Sequence, residues 1–175
     1  MRSRRANPPL PQADELTQPR TWYGVSSMLM AAARTIWPKV KAVFKKPGRK
    51  LHRHEFRGFV QHGPPFLLLC AFAVENALKG TRVRQIRRGK GTPVFAPGRT
   101  ADHVWGHDLP QLARAVGLST SPEEDELLHV LVRNIEWAGR YPRTLDPKKG
   151  AAFVQRYGPD DLQRVARFIA RVKRA

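Results

Sequence analysis

Glu75, Asn76 and Lys79 interrupt an apolar run that begins at Phe66. With Phe72 they stand at i, i+3, i+4 and i+7, so a helical run puts all four on one face. A carboxylate, an amide and an ammonium on one face supply ion pairing, proton transfer and charge stabilisation. Glu75 and Lys79 also have the favourable i, i+4 order, acid first. Polar groups beside so apolar a run need partners. Trp105-Gly106-His107-Asp108-Leu109 and Arg140-Tyr141 can supply them. The expected network is therefore Glu75, Asn76, Lys79, His107, Asp108, Arg140 and Tyr141. Such a network can fix helix register. It can also do chemistry, with His107 as general base and Lys79 or Arg140 stabilising developing negative charge. A His-Asp pair opening a helix is more often a cap and packing element; His107 and Lys79 are the catalytic candidates.

Other chemistry finds less support. His103 and His107 are four apart beside Asp102 and Asp108, a spacing that can hold zinc on a helix face. Gly106 opposes a continuous helix there, and no metal is expected. His52 and His54 lie in a basic stretch that repels a cation. Gly89-Lys90-Gly91 lacks the pattern of a phosphate-binding loop, so no cofactor is expected. Cys70, the single cysteine, allows neither a disulfide framework nor a cysteine-based metal site. Inside its apolar run it reads as a buried thiol.

Charge is the chain's most unusual property. Thirty-two Lys and Arg against 14 Asp and Glu leave a net +18 over 175 residues. That balance favours nucleic acid, an anionic membrane or an acidic protein as partner, although an arginine-rich proteome gives the same composition. The candidate phosphate contacts fall in three runs. They are Lys45, Lys46, Arg49 and Lys50; Arg82, Arg84, Arg87, Arg88 and Lys90; and Arg164, Arg167 and Arg171. A membrane surface is a weaker alternative, with Trp22, Met28, Leu29, Trp37 and Phe44 beside lysines. No secretory signal is visible. The longest apolar run, residues 66–74, is far short of the ~20 residues that span a bilayer. A cytoplasmic protein is expected.

These side chains need helices to hold them. Residues 1–20 read as a disordered, Arg- and Pro-rich tail. Residues 21–60 read as a basic helical arm or linker: apolar spacing predicts a helix over 22–37, and Pro38 marks a boundary. Residues 61–175 read as the folded domain. Pro64-Pro65 is expected to open its central helix, which ends near Gly89. A helix over 108–116 stops at Gly117. Ser121-Pro122-Glu123-Glu124 is a capping box that starts a helix running to about residue 138. A last helix over 159–173 carries an apolar stripe and a stripe of Arg164, Arg167, Arg171 and Arg174. No segment reads as a strand. The fold class is all-α, an antiparallel bundle of four to five helices with a basic N-terminal arm.

Three motifs in order carry a resemblance. Ala71-Phe72-Ala73-Val74-Glu75-Asn76-Ala77-Leu78-Lys79-Gly80, then Gly106-His107-Asp108-Leu109 with Leu112, then Trp137-Ala138-Gly139-Arg140-Tyr141-Pro142, together resemble small bacterial proteins with HEPN-like domains. The resemblance covers residues 64–142. It implies an antiparallel four-helix bundle that often dimerises, and a family many of whose members act on RNA or sit in toxin–antitoxin and defence systems. RNA-cutting members carry Arg, four to six residues, then His near the start of a late helix. This chain departs from that pattern: no His follows Arg133 or Arg140 at such a distance. Arg49 with His54 and Arg57 with His62 match the spacing but precede the central helix. The leading expectation is an RNA- or polyanion-binding HEPN-like module. An endoribonuclease with a displaced active site and a protein with a membrane-surface arm are the alternatives.

Overall fold

A computed structural model describes residues 18–42, 53–90, 95–96, 99–100, 106–135 and 160–175. Five helices lie within them: α1 (Pro19–Lys41), α2 (Arg53–Arg87), α3 (Leu109–Ala115), α4 (Pro122–Arg133) and α5 (Asp161–Arg174). The all-α bundle expected from apolar periodicity is the observed architecture. One departure is a minimal antiparallel ladder of two residues a side, β1 (Phe95–Ala96) with β2 (Arg99–Thr100).

The central helix is longer than its prolines suggest. α2 spans 35 residues with Pro64 and Pro65 inside it, rather than starting there. A proline clashes chiefly with the Cβ and N–H of the residue before it. Gly63 precedes Pro64 and has no Cβ, which removes part of that clash. Pro38 likewise does not end α1; it lies inside the helix. It deprives only the Arg34 carbonyl of an intrahelical donor. Arg34 is exposed, so water serves, and the turn still closes with Ala42 N–H reaching Pro38 O and Val40 O.

α1 and α2 pack as an antiparallel hairpin, the most extensive helix pair in the bundle. Trp37 stacks on Phe66 at 4.9 Å, while Tyr23 bonds Thr81 at the other end. Met30, Ala33 and Val40 of α1 share one core with Phe66, Cys70, Val74 and Leu78 of α2. Residues 21–41 are therefore a wall of the core, and residue 60 falls inside α2, where the sequence divided arm from domain. α3 and α5 run parallel to α2. His107 and Ala115 meet Glu75 and Arg82, and Val172 and Lys173 meet Thr81 and Arg84.

Local signals act as read. Asp108 caps α3 by accepting from Gln111 N–H. Gly117 takes φ +73° after α3, and Gly89 φ +74° after α2, values that favour glycine. Ser121 and Glu124 form the reciprocal capping box of α4. The extension of α4 to residue 138 lies outside the described residues, as do residues 1–17 of the expected tail; its last two, Pro19 and Arg20, are helical and open α1, where proline suits the first turn. α5 buries Val165, Phe168, Ile169 and Val172 on one side.

Candidate functional site

The polar face of α2 holds a buried ion pair. Lys79 Nζ lies 2.5 Å from Glu75 Oε1, and both side chains are only 6% exposed. Glu75 uses its other oxygen on His107 Nδ1, 2.9 Å away, from the segment just before α3. The imidazole is 43% exposed, so a buried carboxylate orients a ring that solvent reaches. A carboxylate accepts, so Nδ1 carries the proton of this bond, and Nε2 offers a lone pair whenever the ring is neutral. Phe72 meets the same ring edge-on, centroids 6.4 Å apart. The Lys79 ammonium lies 5.8 Å from the centre of the Trp22 ring on α1, within cation–π range.

Three members of the expected network meet and two do not. Asn76 donates to Phe72 O at 2.7 Å within its own helix. Asp108 serves as the α3 cap. Arg140 and Tyr141 lie outside the described residues. Trp22 enters unforeseen, because sequence spacing carries no sign that α1 folds back onto Lys79. Trp22 and Trp37 both face the core, so neither is offered to a membrane; Met28, at 73% exposure, and Val25 are the large apolar side chains of α1 that face out.

The basic runs divide into cations used internally and cations left outside. Arg82 donates to Ala115 O at 3.5 Å, and Gln85 to Val116 O at 2.9 Å, both at the C-terminal end of α3. Arg84 donates to Lys173 O at 2.7 Å, at the C-terminal end of α5. Helix C-termini carry unsatisfied carbonyls and partial negative charge, so these cations act as caps lent by a neighbouring helix. Arg171 reaches Ser119 O and Glu124, and Arg164 reaches Asp161 and Glu123 O. Arg87 bonds Gln18. Arg88, Lys90, Arg167 and Arg174 are exposed and make no ion pair among the described residues. Lys45, Lys46, Arg49 and Lys50 lie outside them.

A second seam escaped sequence reading. The Tyr23 hydroxyl and Thr81 Oγ1 are 3.0 Å apart, and Thr81 donates on to Val172 O at 2.9 Å. Arg84 and Lys173 lie 5.7 and 5.6 Å from the Tyr23 ring centre. Burial lowers the Lys173 pKa. Gly80 makes this approach feasible: an added Cβ would stand 2.8 Å from Tyr23 Cε1 and 3.0 Å from Trp22 Cβ. A glycine inside a helical run was the only available signal.

Cys70 is fully buried; burial pushes its thiol above the usual range, and Asp161 adds to the shift. Among the described residues no group of three His, Cys, Asp or Glu side chains could hold a metal ion; Asp102 and His103 lie outside them. None of the described helices is long and apolar enough to cross a membrane. An open groove of about 780 Å³ runs between α5 and the start of α4, lined by Arg164, Arg167, Arg171 and Arg174 together with residues 119–121. Compared with known protein families, curated proteins and solved structures, the chain matches none.

Proposed function

We propose that this chain is a HEPN-like helical module that binds RNA or a similar polyanion through cations gathered at one end of the bundle. The observation that carries the reading is the parallel packing of α2 and α5. It brings the C-terminal end of α5, with Arg171, Lys173 and Arg174, beside the end of α2 that carries Arg82, Arg84, Arg87, Arg88 and Lys90. Arg82 and Arg84 cap helix ends there, while Arg88, Lys90, Arg167 and Arg174 are exposed, the last two in a groove with Glu123 and Glu124. Each phosphate contact releases counterions, so affinity falls steeply with salt.

A second reading rests on the Glu75–His107 bond. His107 Nε2 would take the 2′-hydroxyl proton as that oxygen attacks phosphorus. A 2′,3′-cyclic phosphate forms, and the departing 5′-oxygen takes a proton from water or a nearby acid. One experiment addresses both readings: the full chain is titrated with labelled RNA between 50 and 200 mM salt, and the RNA is then run on a gel. The binding reading expects affinity to drop about a hundredfold or more over that range, in keeping with several phosphate contacts. Absence of binding at 50 mM salt sinks it. The cleavage reading expects fragments from wild type and none from His107→Ala; intact RNA, or equal cleavage by both, removes it.

A further inference from the structure

The groove between α4 and α5 has the composition of a subsite rather than of a merely solvated face. Its four arginines come from α5, and they divide into two that are occupied and two that are not. Arg164 and Arg171 are held by Asp161, Glu124 and two backbone carbonyls. Those bonds fix the wall of the groove. Arg167 and Arg174 are exposed and have no partner among the described residues. They stand seven residues apart on α5, two helical turns, or ~10.5 Å along its axis.

The two acids in the groove are already engaged. Glu124 binds Arg171 at 2.6 Å and the Ser121 amide at 3.0 Å. Glu123 accepts from the Ser121 hydroxyl at 2.8 Å, and this bond lowers its pKa. An interfacial membrane helix would need apolar groups beside its cations. Val165, Phe168, Ile169 and Val172 of α5 are all buried in the core, leaving nothing to insert. A polyanion lying along the groove fits; a bilayer pressed on α5 does not.

We infer that the α4–α5 groove is the strand-binding subsite, in which Arg167 and Arg174 each engage a phosphate of a single-stranded RNA while Arg164 and Arg171 hold the groove in shape. This rests on the polyanion-binding reading and narrows it to two residues. It assigns no phosphate contact to Arg164 or Arg171.

The test measures fluorescence anisotropy of a labelled single-stranded 20-mer RNA with the full chain from 50 to 200 mM NaCl. Wild type is compared with Arg167→Ala/Arg174→Ala and with Lys39→Ala/Lys41→Ala. The last pair removes equal charge from exposed positions at the opposite end of the bundle. Circular dichroism checks that all three fold alike. The groove variant should bind about tenfold more weakly at 100 mM salt, with a log–log salt slope shallower by about 1.4, two single-strand contacts at ~0.7 each. The control pair should lose less than half of that. If wild type binds and the groove variant keeps its slope and affinity, or the two variants weaken equally, the groove assignment is wrong while the polyanion reading stands. If wild type binds vesicles of anionic lipid but not the RNA, or binds neither, both fail together.

Discussion

Lys79 and Arg167 each carry one positive charge, yet their surroundings differ in every respect that matters. Lys79 is buried, paired at 2.5 Å with Glu75 and set over the Trp22 ring. Arg167 is exposed on α5 and unpaired among the described residues. A buried cation is desolvated, so its contribution depends on keeping its partner. An exposed cation costs the fold little, is screened by salt, and is available to an outside anion. Net charge alone does not separate the two. Arg82, Arg84, Arg164 and Arg171 fall between them, because they spend their donors on carbonyls at the ends of other elements.

Removing Lys79 should have the largest effect. Lys79→Met strands the Glu75 carboxylate in the core with only His107 to meet it, and should cost about 3 kcal/mol. Urea denaturation followed by circular dichroism measures it. Glu75→Leu/Lys79→Met, which removes both charges, should recover most of the loss. If the single variant is within 1 kcal/mol of wild type, the contrast drawn between Lys79 and Arg167 does not hold. Gly80→Ala comes next. The new methyl overlaps Tyr23 and Trp22, and overpacking of this kind costs about 1–3 kcal/mol. Helix propensity returns up to ~1 kcal/mol, so a net loss of about 1–2 kcal/mol in the same denaturation assay is expected. A stabilised variant would show that α1 yields easily and is no fixed wall. Ser121→Ala, at the mouth of the groove, should cost about 1 kcal/mol through loss of the cap. Its melting temperature should fall by a few degrees while RNA affinity changes less than for Arg167→Ala/Arg174→Ala. A larger loss of affinity than of stability would make Ser121 a ligand contact.

Much of the fold was legible because its signals are local. The Ser121–Glu124 box, the stops at Gly89 and Gly117 and the apolar stripe of α5 each depend on a few neighbouring residues. Pro38 and Pro64-Pro65 misled for the same reason. A proline's cost is local, but it is set against the packing of a whole helix, and Gly63 and the exposed Arg34 reduce that cost. The site was legible as a face on α2, and Glu75, Lys79 and His107 do meet. Asn76 satisfies itself on the backbone, which is always within reach of a helical asparagine. The placement of Trp22 over Lys79 and the loan of arginines to helix ends depend on how distant segments pack, which spacing along the chain does not encode.

The bonds from Thr81 and Arg84 to α5 join residues 91 and 89 apart, whereas Tyr23 meets Thr81 across 58. Synthesis at ~5–20 residues per second therefore separates the two events by several seconds. The α1–α2 hairpin can close while the rest is still being made. The flank of α2 that α5 will cover, with Thr81 still short of its last acceptor, waits in water until α5 emerges. The helix that completes the core is the one that carries the groove arginines, so a nascent chain has no groove until its core is closed.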